Sequence, residues 1–590
     1  MNMLKKPQAN GFCTIDTPML PPGWALLERE LIRLKTEAVE AFYDHYFDDR
    51  GFLLCIPRWG GDDGPDDAAE NMRGWTVLHA LGAPDIVLDL YQKGWEGHLR
   101  QYTEAKTTEV PFARDGMYYK EFPVMFDWMH NGEGFAMFFL EGLSNPYDKK
   151  FQDRMRRYAG FYMDEDPHAK NYDPRHKVIR SMFNGSRGPL MRPSTGIDWA
   201  GDPIEVVGRF DPGHGERSFE EMWAHFKDYN EVVGDHPLNL ATTTLALNAY
   251  MIDHQAKYRD WTLAYIDAWV ERTRANGGII PTNIGLDGVI GGAADGKWYG
   301  GVYGWGFSVF SPQTGKMANR PYFEFRSFWG FGNALLLTGD QKYVDTWRGV
   351  IEGVNAYKKE IDGKTMYPRM HGDDGWYGYT PEPYGVGAEA IYYWSMDRKD
   401  LARLPMEGWI AFIEGRNPDF PEKALRADFA EMRARMEKMR QDTTTPDTRM
   451  SDDPNGITPV QVGNLVRLML GGLANDPDGY PMHCRVRYFD PDRRRAGIPE
   501  DVAALVERMT ADETVLTLVN VNPVAARTVI VQGGAYAEHQ IESVAIDGRT
   551  TPVHASSFTV VLESGCGAQL TLKMRRYANP PTLVFPWDRD

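Results

Sequence analysis

Apolar residues at helical spacing first appear as Leu27, Leu31, Leu34, Ala38 and Phe42, and predict a long helix over 24–48. Residues 49–72 are rich in Gly and Asp and read as loop. From Trp75 to about residue 440 the periodicity is that of amphipathic helices joined by loops rich in Gly and aromatics. An internal repeat runs through this region. Asn248-Ala249, Lys257-Tyr258 and Asp260 recur 85 residues later as Asn333-Ala334, Lys342-Tyr343 and Asp345. Each copy reads helix, tight polar turn, helix, Gly-rich loop. Thr338-Gly339-Asp340 supplies the C-cap of one helix and the N-cap of the next. Weaker copies of the turn stand at Leu81–Asp85 and Leu143–Asp148. Four such hairpins predict a mainly α body closed as a ring of helical pairs. Residues 402–445 read as a helix with a charged face from Arg426 to Arg440, and 458–472 as one more apolar helix. After residue 480 the period drops to two in Thr514–Asn520, Thr528–Gln532, Ile541–Ile546, Ser557–Leu562 and Gln569–Leu572, with Asp547-Gly548 as a hairpin turn. The expected organisation is an N-terminal extension (1–23), a helical catalytic domain (24–480) and a small C-terminal antiparallel β-sandwich (481–590).

Composition changes this picture in three ways. With 65 basic and 83 acidic residues the net charge of −18 argues against nucleic acid as a partner, because phosphate binding needs clustered Lys and Arg. Four scattered cysteines, Cys13, Cys55, Cys484 and Cys566, form neither a disulfide framework nor a zinc motif. No apolar run suits a signal peptide or a membrane span, so the expectation is a soluble, cytoplasmic chain without a membrane partner, or a periplasmic or secreted one whose leader has been removed. The aromatic share is the unusual figure, at 13%.

The aromatics mark the candidate chemistry. One loop reads Trp298-Tyr299-Gly300-Gly301-Val302-Tyr303-Gly304-Trp305; a second, His371–Tyr384, holds Asp373, Asp374, Trp376, Tyr379 and Glu382 and lies in the corresponding part of the next repeat. Gly lets backbone approach a ligand and flat rings give stacking platforms, so the two loops together read as a sugar cleft. Singly, such rings equally fill the centre of a helical ring. His130, Asn131 and Glu133 stand before an expected helix at 135–143, placing a base, an amide donor and an acid on one rim; Asn131 is equally an N-cap. Arg187 in a Gly/Ser/Asn loop suits a carboxylate, or a clamp on Asp198 or Asp202. Asp235 stands where it can orient His236 as a base, although a histidine beside Pro is more often a loop residue. Arg326 is a further anion clamp, or a partner of Glu324. Phosphate-loop, dinucleotide, HExxH and GxSxG motifs are absent, and the Asp-rich loop at 62–67 lacks EF-hand spacing, so neither cofactor nor metal is expected.

Helical hairpins with Gly-Asp turns, the loops at 298–307 and 371–384, and a trailing β-sandwich resemble the (α/α)-toroid carbohydrate-active enzymes: polysaccharide lyases, glycoside hydrolases and sugar epimerases. Within that group the chain looks like a lyase that removes rhamnose linked to glucuronate. The resemblance implies an oligosaccharide or polysaccharide substrate and β-elimination at a uronate, with Tyr and His as acid and base and Asn or Arg neutralising the carboxylate. The residue types present are His130, Asn131, His236, Tyr299, Tyr303, Arg187 and Arg326, with Trp298, Trp305, His371, Trp376, Tyr379 and Glu382 to hold sugar. An inverting hydrolase is the alternative, drawing two carboxylates from Glu133, Asp287, Asp373, Asp374 and Glu382; a glycan-binding protein without catalysis is the third. Assembly into an oligomer is compatible with each.

Overall fold

The computed structural model describes residues 11–56, 65–104, 128–165, 171–182, 232–292, 294–299, 309–311, 316–318, 327–473 and 480–589. The first helix, Gly23–Tyr46, buries Leu31, Ala38 and Phe42 on the expected stripe. Helices of two kinds follow. Trp75–Leu81, Thr243–Asp253 and Ser327–Thr338 are buried on nearly every side, as is Trp128–Ser144 from Phe135 onward. Their partners Ile86–Glu104, Lys149–Phe161, Ala256–Ala275 and Lys342–Asn355 bury one stripe and expose the other. A helix without a polar face must be covered all round, so the first kind is inner and the second outer.

The repeat is reproduced in side-chain detail. Asn248 and Asn333 are both fully buried. Asn333 Nδ2 reaches back to the hydroxyls of Thr243 (2.8 Å) and Thr244 (3.1 Å), tying one copy to the other. Lys257 and Lys342 lie over the rings of Tyr258 and Tyr343 at 4.6 and 4.8 Å. In the turn, Gly339 takes φ +69° and Asp340 accepts from Lys342 N at 2.9 Å, the expected pair of caps.

Inner helices pass to outer ones through the short turns 82–85, 145–148, 254–255 and 339–341. The return connections, 105–127, 162–236, 276–326, 356–387 and 442–462, are long and enter at the N-terminal ends of inner helices. At the end of the helical region Phe420–Gln441 packs on Gly23–Tyr46, and Gly463–Leu470 on Trp75–Leu81.

Three local expectations change. A short helix, Pro65–Glu70, stands inside the stretch read as loop. The single helix expected over 402–445 is two, Gly408–Ile413 and Phe420–Gln441. Gly415 (φ +74°) ends the first, and Pro418 and Pro421 start the chain afresh. The C-terminal region holds two five-stranded sheets. One is ordered Phe12–Ile15, Ser557–Leu562, Arg527–Gly533, Val486–Asp490, Arg495–Ala496; the other Val502–Met509, Glu513–Asn520, Gly567–Arg575, Gln540–Ile546, Arg549–Ala555. The pairing is not purely antiparallel, because Phe12–Ile15 runs parallel to Ser557–Leu562. The N-terminal segment is thus part of this β region. Asp547 and Gly548 both take positive φ, as a two-residue hairpin turn requires.

The β region covers the short-turn end of the helical body. Its arginines meet carbonyls in the last turns of inner helices: Arg487 donates to Leu143 O, Arg495 to His79 O (3.4 Å) and Ala83 O, and Arg576 to Tyr393 O (3.0 Å) and Ser395 O (3.3 Å). Leu583 N adds a bond to Met251 O at 2.9 Å. Helix C-termini carry unsatisfied carbonyls and partial negative charge, so a guanidinium answers both.

Burial also sets a pH dependence. Glu141, 3% exposed, accepts from Gln92 Nε2 at 3.2 Å, and burial pushes its carboxyl from 4.5 up to about 8. The native state keeps a proton that the unfolded chain releases within this window, so stability falls as pH rises from about 4.5 to about 8. Glu141→Gln is expected to match the parent protein at pH 5 and to exceed it by about 1–3 kcal/mol at pH 8.5, measured by urea unfolding at both values.

Candidate active site

A cavity of about 960 Å³ lies where the long connections enter. Its wall takes the starts of Trp75–Leu81, Ser327–Thr338, Ala388–Ser395 and Gly463–Leu470, through Gly74 and Thr76, Phe328 and Trp329, Gly387 and Glu389, and Val462 and Gly463, and the flank of Trp128–Ser144 through Ala136 and Leu140. Helix N-termini present backbone N–H groups and partial positive charge to this space. Gly387 (φ +73°) is required at its turn, since a Cβ there would stand 2.7 Å from Trp347 Nε1.

Among the described residues, three charged side chains belong to the wall. Arg73 pairs with Glu70, which in turn accepts from Asn455 Nδ2 at 2.6 Å. Arg435 is held by Glu431 (2.7 Å) and by Thr458 O (3.0 Å). Glu389, in the first turn of Ala388–Ser395, accepts from Arg467 at 3.2 and 3.4 Å, with 41% of its side chain exposed. Trp329 stacks on Tyr480 at 4.3 Å and 16°, giving the cavity a flat aromatic side. Among the described residues no group of three or more His, Cys, Asp or Glu is placed to hold a metal ion, and no helix is long and apolar enough to cross a membrane.

The two aromatic loops meet. His371 and Trp376 are cross-strand neighbours in the hairpin formed by Met370–Gly372 and Gly375–Tyr377. Trp298 packs 4.8 Å from His371 and 6.4 Å from Trp376. Tyr299 Oη donates to Asp373 at 3.0 Å and Lys297 pairs with the same carboxylate at 2.8 Å. Burial lowers the pKa of His371 and, together with Asp373, raises that of Tyr299. Tyr379 donates to Tyr357 O at 3.2 Å, and the Glu382 carbonyl accepts from Arg369 at 2.8 Å. Asp374 is exposed in the hairpin turn. None of these residues is in the cavity wall.

The remaining expectations separate. His236 is fully buried outside the wall. Asp235 directs its carboxylate to Ile179 N (2.8 Å), His236 N (2.8 Å), Asn239 Nδ2 (2.9 Å) and Tyr265 Oη (2.9 Å), so it fixes the backbone at this corner; burial raises its pKa to about 6. Asp287 caps a turn at Val289 N (3.0 Å). Asn131 is not an N-cap: the helix begins at Trp128, so His130, Asn131 and Glu133 all stand within it. Their side chains lie outside the described residues, as do Arg187, Tyr303, Trp305 and Arg326. The wall residues Arg73, Arg435 and Glu389 escaped the sequence reading. Glu389 had a signal, standing five residues beyond the second aromatic loop; Arg435 stands on the charged face from Arg426 to Arg440, and Arg73 just past the stretch read as loop.

Two solved structures are similar at a low level. A sugar epimerase from a ruminal bacterium is 10% identical, with a TM-score of 0.23, over 61% of this chain and 95% of that one. A D-mannose isomerase is 10% identical, with a TM-score of 0.22, over 65% of this chain and 100% of that one. No curated protein matches. A family model described as a domain of unknown function (DUF8034) matches residues 14–367 and 405–466, more than half of the chain, and the chain belongs to that family.

Proposed function

We propose that this protein is a carbohydrate-active enzyme that takes an acidic glycan into the cavity and cleaves it by β-elimination at a uronate. The observation that carries this reading is the make-up of the wall: a stacked Trp329–Tyr480 pair, the guanidiniums of Arg73 and Arg435, and the carboxylate of Glu389 in the first turn of its helix. The aromatic pair suits the apolar face of a pyranose. Arg73 or Arg435 neutralises the uronate carboxylate and stabilises the enolate-like anion that forms when the neighbouring C–H bond breaks. Glu389 takes that proton. The electron pair forms the ring double bond, and the glycosidic C–O bond breaks with its pair leaving on oxygen, which is then protonated. Inverting hydrolysis, the alternative, needs two carboxylates about 6.5–9.5 Å apart. The packing of the last helices on the first supports closure of the helical pairs as an (α/α) toroid, with the cavity at its centre.

Incubation with uronate-containing oligosaccharides should yield products that absorb as unsaturated uronates, with no mass gain from water. Reducing ends that appear without that absorbance, and products heavier by one water, would replace elimination by hydrolysis. Binding without turnover would leave only glycan recognition.

A further inference from the structure

Resting on the carbohydrate reading above, we infer that the substrate is an extended glycan chain, which fills the cavity and continues onto an aromatic platform outside it. The platform is built on Tyr357 and Trp376. Tyr357 stacks on Trp376 at 4.8 Å and 25°, and is 49% exposed. Large side chains so exposed are usually scattered singly, whereas this one lies on a second ring. Trp298 and His371 also pack on Trp376, and the Lys297–Asp373 pair pins the hairpin to the preceding repeat. The rings therefore form a pre-organised surface, with charged groups alongside to meet sugar hydroxyls.

Position joins the platform to the cavity. The hairpin lies within the 356–387 connection, one of those that enter at inner-helix N-termini, and the chain runs from Tyr377 through 378–384 directly into the wall at Gly385–Ala390. Yet no platform ring is in the wall. A sugar that fits the cavity alone does not reach Tyr357, so only a longer chain gains from both. A flat ring pair flanked by hydrogen-bonding charges suits stacked pyranoses.

The test compares kcat/KM for uronate oligosaccharides of increasing length in the parent protein and in Tyr357→Ala. The parent should gain about tenfold from the shortest to the longest substrate. The variant should lose that gain through KM, with kcat and the shortest substrate unchanged, and with the parent's melting temperature. A variant that keeps the length dependence, or a parent that lacks it, overturns the inference. If no oligosaccharide is turned over, elimination fails separately. The platform is then read by mobility in gels containing acidic polysaccharide, where a parent retarded more than the variant supports it and equal mobility overturns it.

Discussion

Glu389→Gln should lower kcat by about 10³-fold while changing KM by less than about threefold. Glutamine keeps the shape of the side chain and still accepts from Arg467, which holds Glu389 at 3.2 and 3.4 Å. It has no basic oxygen to take a proton from carbon. Binding, which the proposed reading assigns to Arg73, Arg435 and the Trp329–Tyr480 pair, is left in place. Loss of rate with retained affinity is the mark of a group that acts in the transition state and not in the ground state. Affinity followed by tryptophan fluorescence separates the cases. A variant within tenfold of the parent in kcat removes Glu389 as the base. One that no longer binds glycan makes it a binding residue.

The helical pairing was legible because it is written locally. Inner helices are apolar on all sides, outer ones on a stripe, and the turn Thr338-Gly339-Asp340 carries its caps in its own residues. The meeting of the two aromatic loops was legible for a related reason: a repeat brings equivalent loops side by side. The cavity wall was not legible. Arg73, Glu389 and Arg435 are far apart in sequence; the two arginines make local ion pairs that a solvated helix face would also make, and Glu389 pairs with Arg467 of another helix. Only the third dimension shows them around one space. The strand Val486–Asp490 was missed because it does not alternate. All five residues are buried, Arg487 and Asp490 included, so the period-two pattern of a half-exposed strand is absent. Asp235 could not be placed from sequence either, because its bond to Ile179 N depends on a chain segment far from it in sequence.

Arg487→Ala should destabilise the protein by about 4 kcal/mol. Arg487 is 2% exposed and stands on the strand Val486–Asp490. It donates to Leu143 O near the end of an inner helix and to Ala535 O at 3.2 Å, and its guanidinium sits 4.6 Å over the Phe489 ring. Truncation leaves two carbonyls without these donors in a place closed to solvent, at about 1–3 kcal/mol each, and opens a cavity beside Phe489 and Phe585. Burial already raises the pKa of nearby Glu538 to about 7, and Arg487 is among the groups that hold it down. Without the arginine Glu538 stays protonated to higher pH, so the loss of stability should be greater at pH 8 than at pH 6. Arg493→Ala is the control. Arg493 is 61% exposed and pairs with Glu500 in solvent, and its loss should cost less than about 0.5 kcal/mol. Urea unfolding of both variants at the two pH values checks the prediction. A cost for Arg487→Ala no larger than that of the control would mean that the β region merely rests on the helices. The expected cost would make it the seal on their C-terminal end, leaving the long-connection side as the way into the cavity.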